Sequence, residues 1–161
     1  MANLIEHKKA HFNYEILETY EAGIQLFGTE VKSLRDHHGK LEGAHITVRG
    51  GEAFLLNAEI PPFQAANTSG SYDPKRNRRL LLKKNELAEL ATAEEKEGLT
   101  IIPLSMYNKG RVIKLRLGIV RGKKKSDKRA SIMKREHLRD IARVVKSEVK
   151  RSVRSLRDKL P

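Results

Sequence analysis

The stretch that decides the fold is LTIIPLSMYNKGRVIKLRLGIV, residues 99–120. It contains two apolar runs, Leu99 to Met106 and Val112 to Val120, on either side of Asn108-Lys109-Gly110. Both runs contain β-branched residues, which favour strands, and the glycine between them permits the positive φ that a tight turn requires. The stretch therefore predicts an antiparallel hairpin.

Further strands are predicted upstream of this hairpin. A strand from Tyr14 to Glu21 is expected to be interrupted at Ala22-Gly23. Strands at His45–Arg49 and Glu52–Ala58 are expected to pair about Gly50-Gly51, which suits a two-residue hairpin turn. These patterns are typical of a chain whose strands are short and mostly antiparallel.

Two small helices complete this region. The first is expected to follow Gly28 with Thr29 as its N-cap, and the second to run from Asn85 to about Glu97. The polar stretch from Asn67 to Arg79 is expected to be a loop. We therefore predict that residues 1–120 form a mostly β domain, a closed barrel of the oligonucleotide-binding type.

The charge is concentrated at one end of the chain. The formal net charge is +13. Residues 121–161 contain 16 Lys and Arg against 5 Asp and Glu, so they carry most of the excess. The division predicts a nearly neutral body followed by a basic tail, whose partner should be polyanionic.

The tail has a helical pattern too narrow to form a core. Its apolar residues recur every three or four positions and so fall on one stripe of a helix. The stripe consists of Leu138, Ile141, Val145, Val149, Val153, Leu156 and Leu160. We expect residues 121–161 to be disordered when free and helical when bound, with Arg121 to Arg129 as a hinge.

Three interpretations of the tail were weighed. A solvated, self-repelling helix has no partner, whereas an RNA-binding arm places Lys and Arg beside phosphates and releases counterions. A membrane-surface helix usually presents Trp, Phe and several Leu on its apolar face, which this stripe lacks. The composition favours the RNA-binding arm.

Other classes of function have little support in the sequence. The chain has no cysteine, so disulfides and thiolate chemistry are excluded. The adjacent His37 and His38 point apart in a helix or a strand, and we expect no metal site and no cofactor. No phosphate loop or nucleophile elbow occurs, nor any membrane-span-length apolar run, so we expect a cytoplasmic protein that is not an enzyme.

Several motifs occur in a characteristic order along nearly the whole chain. They are EAGIQLFGTEVKSLR at 21–35, GEAFL at 51–55, Asp73-Pro74 leading into Arg79 to Leu82, GKK at 122–124 with Asp127-Lys128-Arg129, and ARVVK at 142–146. They resemble the motifs of the SmpB family, non-enzymatic RNA-binding proteins that act with transfer-messenger RNA in the rescue of stalled ribosomes.

The resemblance implies a barrel whose surface grips the elbow of the tRNA-like domain of transfer-messenger RNA. The residues implied at that surface are Glu21, Lys32, Arg35, Leu81 and Lys83. Lys83 stands where the family pattern leads us to expect Asn or His, so its contact is expected to be with phosphate.

The resemblance also implies that the tail enters the vacant messenger channel of a stalled ribosome and folds there as a helix. Near the decoding centre it would replace the missing codon–anticodon pairing. The implied residues are Gly122, Lys123, Lys124, Asp127, Lys128, Arg129, His137, Arg143, Val144, Val145 and Lys146.

Implied partners are transfer-messenger RNA, the ribosome with its small-subunit rRNA, and the elongation factor that delivers alanyl-transfer-messenger RNA. The protein is expected to be a monomer. Two positions depart from the family pattern. Ser126 replaces an expected aromatic residue or His, and His137 an expected Trp, so stacking on a decoding-centre base is weakened.

Two other hypotheses remain open at this point. One is a ribosomal or general RNA-binding protein that uses the same barrel without transfer-messenger RNA. The other is an RNA-processing enzyme whose catalytic residues the motifs do not reveal. The RNA recovered with the protein from cells distinguishes them.

Overall fold

The computed structural model describes residues 2–157, without the side chain of Leu156. Met1 and residues 158–161, and with them Leu160 of the predicted stripe, lie outside the described residues. The chain divides into two compact units, Met1–Gly122 and Lys123–Pro161.

The first unit combines seven strands with three helices in its described residues. In chain order they are β1 (Asn3–Glu6), α1 (Ala10–Asn13), β2 (Tyr14–Ile24), α2 (Gly28–Arg35), β3 (His45–Arg49), β4 (Glu52–Leu56), β5 (Arg78–Leu81), α3 (Lys84–Glu95), β6 (Leu99–Lys109) and β7 (Val112–Gly122). A short 3₁₀ turn lies at Ala65–Asn67.

The seven strands form one antiparallel sheet in the order β1-β6-β7-β2-β5-β4-β3. The mostly β class is confirmed, but the closed barrel is not, because β1 and β3 are edge strands of an open sheet. A barrel requires each strand to pair on both sides. Here α3 packs against both β3 and β6 and buries Leu90 and Ala93.

Both predicted hairpins are confirmed. The β6–β7 ladder runs from Leu99 opposite Arg121 to Lys109 opposite Val112. The β3–β4 ladder runs from His45 opposite Leu56 to Arg49 opposite Glu52, with positive φ at both central glycines. The turn about Gly50-Gly51 lies where it was predicted, whereas the β6–β7 turn is Gly110-Arg111, because Asn108 and Lys109 still pair in the ladder.

The predicted interruption of the second strand at Ala22-Gly23 is wrong. β2 continues to Ile24, with Ala22 fully buried and paired with Leu115. Gly23 stays in the ladder, and the absence of a side chain there leaves room for Leu81. A Cβ at Gly23 would lie 3.1 Å from the Cβ of Leu81. The small residues therefore allow close packing rather than a break.

Two further expectations are corrected near α2 and β5. The N-cap of α2 is Phe27, not Thr29, and the Glu30 carboxylate accepts the Phe27 amide at 2.8 Å. β5 lies at the end of the stretch expected to be a loop. It was missed because Arg78-Arg79 is polar in sequence, although the Arg78 side chain is fully buried.

In its described residues, 123–157, the second unit contains one helix, α4 (Lys125–Arg157), of 33 residues. Its first turn is closed by Asp127, whose Oδ2 accepts the amide of Lys124 at 3.3 Å. The described stripe residues, such as Leu138 and Ile141, are exposed. Because β7 extends to Gly122, opposite Tyr14, only Lys123 and Lys124 separate the last strand from this helix.

Candidate nucleic-acid interface

A row of four paired residues crosses four strands on the outward side of the sheet. Leu81 of β5 lies opposite Gly23 of β2, Gly23 opposite Lys114 of β7, and Lys114 opposite Tyr107 of β6. Residues directly opposite each other on neighbouring strands point to the same side of a sheet. The neighbouring Glu21 belongs to the same face, two residues from Gly23 along β2.

Glu21 is held in place by two side chains of β6. Its Oε1 accepts a hydrogen bond from Lys109 Nζ at 2.7 Å, and its Oε2 accepts a short one from the Tyr107 hydroxyl. These hydrogen bonds, from Lys109 first and then Tyr107, hold the pKa of Glu21 below its ordinary value. The carboxylate is therefore ionised at neutral pH and fixed in orientation.

Cationic groups surround this carboxylate. Arg116 lies directly opposite Glu21 in the ladder, and its guanidinium is 5.4 Å from the centre of the Tyr107 ring. Together, Arg116, Lys109 and Lys114 make the surface around the Glu21 carboxylate positively charged. Such a surface can attract phosphate through the cations while the carboxylate accepts base or sugar donors.

Leu81 is the exposed apolar element of this face. Half of its surface, 50%, is accessible, while its strand neighbour Leu80 is buried. An aliphatic side chain held over Gly23 can pack against a nucleobase or a sugar.

Of the other predicted body residues, only Arg35 has a contact that links it to this region in the part of the chain that the structure describes. Arg35, at the end of α2, donates from Nη2 to the carbonyl of Arg111 at 3.1 Å, and so lies beside the β6–β7 turn that follows Lys109. Lys32 is exposed, with its Nζ 5.9 Å from the Phe63 ring centre. Lys83 is the exposed N-cap residue of α3. The structure thus links Glu21, Leu81 and Arg35 to one region, and gives no contact that joins Lys32 or Lys83 to it.

Sequence reasoning missed the partners of Glu21. Tyr107, Lys109, Lys114 and Arg116 all lie in the stretch that was assigned only to a hairpin. The signal that could have found them is the alternation of Lys114 and Arg116 with leucines, which places both cations on the outward face of β7.

The predicted tail residues lie at the start of the second unit and along α4. Gly122 ends β7, Lys123 and Lys124 precede the helix, and Asp127 closes its first turn. Asp127 therefore has a structural contact in addition to any role toward RNA. The remaining predicted residues lie within α4, and all but the partly exposed Lys128 are exposed: Lys128, Arg129, His137, Arg143, Val144, Val145 and Lys146.

The described residues offer neither a metal site nor a membrane-spanning helix. Within residues 2–157, no three or more His, Asp or Glu side chains are grouped as a metal would need. None of the helices in that range is long and apolar enough to cross a membrane.

An antiparallel sheet with an oriented carboxylate among cations, together with a basic 33-residue helix, defines a nucleic-acid-binding protein. The family model described as "SmpB protein" matches residues 4–147. The chain belongs to the SmpB family.

Curated relatives are similar along most of their length. An SsrA-binding protein of Microcystis aeruginosa is 44% identical over 143 residues, which are 89% of this chain and 93% of the relative. An SsrA-binding protein of Chlamydia muridarum is 46% identical, with 89% and 94% covered.

A solved structure described as "tmRNA-SmpB: a journey to the center of the bacterial ribosome" is also similar. Its TM-score is 0.64 and its identity is 45%, and the match covers 74% of this chain and 84% of that one.

Proposed function

We propose that this protein binds the tRNA-like domain of transfer-messenger RNA and brings it to stalled ribosomes for trans-translation. The observation that carries the proposal is the similarity, at 45% identity, to the tmRNA-SmpB structure. The match to the SmpB family over residues 4–147 supports it independently. The place of action is then the cytoplasm, where ribosomes translate.

The outward sheet face is the proposed RNA-binding surface, and the sheet serves as an open form of an oligonucleotide-binding barrel. Glu21 accepts donors from a base or a sugar, while Leu81 packs against the RNA. Arg35, Lys32 and Lys83 contact phosphates at its margin. The electrostatic setting supports this assignment, since the ionised carboxylate is embedded among cations that attract the RNA backbone.

The basic helix is the proposed ribosome-binding element. Its cations, together with Lys123 and Lys124 just before it, neutralise rRNA phosphates in the vacant messenger channel near the decoding centre. His137 and the segment from Arg143 to Lys146 lie further along α4 and extend this contact. The elongation factor that delivers alanyl-transfer-messenger RNA is the third partner.

The experiment is a binding titration of the tRNA-like domain against two body variants. Glu21→Ala removes the acceptor, and Leu81→Asp places a negative charge against the RNA. Each should weaken binding by about tenfold or more, because contacts between a side chain and a base edge contribute ~1–3 kcal/mol each. The thermal midpoint should be nearly unchanged, with at most a small fall for Glu21→Ala, which removes the acceptor of the Tyr107 hydroxyl.

Two matched control variants complete the design. Glu97→Ala removes an exposed carboxylate beyond α3, and Leu17→Asp charges an exposed leucine that lines a different groove beside α3. Both should bind as the parent does. Unchanged affinity in both body variants would eliminate this face as the binding site.

A further inference from the structure

A groove lies on the outward face of the sheet beyond Leu81, over β3, β4 and β5. Its volume is about 710 Å³, within the range of ~300–1,000 Å³ that is common for ligand sites. The side chains that matter for its chemistry are Gln25, His45, Thr47, Arg49, Phe54 and Arg79.

Phe54 occupies the middle of this groove. It lies opposite Thr47 on one side and opposite Arg79 on the other, so all three point outward. Its strand neighbours Ala53 and Leu55 are fully buried, whereas Phe54 keeps part of its ring accessible. An aromatic side chain is therefore presented on the solvent side of the sheet, with Thr47 and Arg79 as its neighbours on the adjacent strands.

Cations flank the ring on two strands. The Arg49 side chain is 76% exposed, and its nearest carboxylate oxygen, on Glu94, is 4.0 Å away. Arg79 pairs with Glu52, and an exposed pair of this kind contributes only ~0–1 kcal/mol, so it yields readily to a phosphate. Both guanidiniums are available to an anionic ligand.

The acidic side chain that lines the groove, Glu94, already accepts hydrogen bonds from the protein. Glu94 accepts the Thr47 hydroxyl at 2.6 Å and the Val48 amide at 2.9 Å, and these bonds attach α3 to β3. Its charge is turned toward these donors, so it opposes an incoming phosphate less than a free carboxylate does.

The groove is continuous with the proposed RNA-binding surface. Arg79 and Leu81 are two residues apart on β5 and lie on the same side of the strand. The backbone of Gln25 also donates to the carbonyl of Arg79 at 3.0 Å, which joins β2 to this edge. RNA that contacts Leu81 can therefore extend over Phe54.

We propose that the groove binds one unpaired nucleotide of the RNA, with its base stacked on Phe54 and its phosphate held by Arg49 and Arg79. An accessible ring between two guanidiniums fits a base that has left its helix, since a paired base offers no free face for stacking. This inference rests on the proposed function and adds to it a second, base-stacking contact.

The first test follows backbone amide shifts of the full-length protein by NMR during titration with adenosine monophosphate. The amides of Thr47, Phe54 and Arg79 should shift, and they should shift much less with ribose 5-phosphate, which has no base. An equal response to ribose 5-phosphate would show an anion site only and overturn the stacking. No response to either ligand would remove the groove as a site.

The second test uses variants at the ring. Phe54→Leu keeps the apolar bulk but removes the aromatic face, so binding of adenosine monophosphate and of the tRNA-like domain should each weaken by roughly tenfold. Phe54→Tyr keeps the face and should bind as the parent does. Phe12→Leu is the control for a partly buried phenylalanine outside the groove. If Phe54→Leu binds both ligands as the parent does, stacking is excluded.

If a variant at Phe54 folds poorly, Arg49→Gln provides an alternative test. The Arg49 side chain is mostly exposed, so its replacement should not affect folding. Arg49→Gln should weaken nucleotide binding, while Lys96→Gln at the end of α3 should not. The nucleotide titrations do not involve transfer-messenger RNA. If the protein binds the nucleotide but not the tRNA-like domain, the proposed function is wrong and the nucleotide site in the groove stands. If it binds the tRNA-like domain but not the nucleotide, the nucleotide site is wrong and the proposed function stands.

Discussion

The Oε1 atom of Glu30 lies 2.9 Å from the Nη2 atom of Arg78, and neither side chain is exposed to solvent. Arg76 adds a second guanidinium, with Nη2 at 2.6 Å from Oε2, and the Tyr72 hydroxyl donates to Oε1 at 2.9 Å. Glu30 belongs to α2 and Arg78 to β5, so this buried cluster fixes the helix that carries Lys32 and Arg35 to the sheet that carries Leu81.

Replacement of this carboxylate should therefore destabilise the first unit. Glu30→Gln leaves two guanidiniums with no counterion, one of them fully buried, and a broken buried pair costs about 3–5 kcal/mol. Urea unfolding measures the loss. Glu52→Gln, which breaks the exposed pair with Arg79, is the control and should cost less than ~1 kcal/mol. Equal losses in the two variants would contradict the assigned role.

The same cluster should make stability depend on pH. Burial alone raises the pKa of Glu30, but hydrogen bonds from Arg76 and the Phe27 amide, with the charge of Arg78, hold it below its ordinary value. Because the pKa is lower in the folded state, the stabilisation is complete above the unfolded value of ~4.3 and is lost as pH falls through the folded value.

Urea midpoints measured from neutral pH downward provide the check. The difference between the parent and Glu30→Gln should be constant above pH ~5 and shrink below about 4. A difference that grows on acidification would show that the pKa of Glu30 is raised rather than lowered.

Body and basic helix should be separable in function. A chain that ends at Gly122 keeps every strand of the sheet, so it should bind the tRNA-like domain within about tenfold of the parent, the difference being the lost phosphate contacts of the tail. It should not support peptide tagging on stalled ribosomes. Loss of all RNA binding on truncation would show that the helix carries the affinity instead.

The helical form of the tail should be required on the ribosome. Proline at Ile141 and Val145 disfavours helix by ~3 kcal/mol or more per site and keeps every charge. Tagging should fail in this variant although RNA affinity and its salt dependence persist. Alanine at both positions is the matched control: it removes the same side chains but retains the helix, so it should tag far better than the proline variant. A fully active proline variant would mean that the tail acts as an extended polycation.

That the tail is largely disordered in the free protein, and helical only when bound, stays a prediction. Hydrogen exchange should be fast along α4 without ribosomes, because its described stripe residues are exposed and a narrow stripe stabilises a helix poorly in water. Protection should appear only when stalled ribosomes are added.

Local features of the sequence determined much of the fold. The apolar runs around Asn108-Lys109-Gly110 and around Gly50-Gly51 placed two hairpins correctly, because the partners in a hairpin are close in the chain. The three- and four-residue spacing of the apolar residues after Arg135 indicated the helical tail, because the contacts within a helix are also close in the chain. Motifs quoted in order along the chain were sufficient to identify the family.

Only the tertiary structure decided how distant segments meet. It buried Arg78, which the sequence placed in a polar loop, against Glu30, a residue 48 positions away. It joined Glu21 to Tyr107 across 86 positions, and it set Phe54 between Thr47 and Arg79 on the outward face. Such pairs depend on strand order and register, whereas local periodicity reports only which side of one strand or helix is apolar. A buried charge is stable only beside its partner, and that partner is supplied by another part of the chain once the sheet has formed.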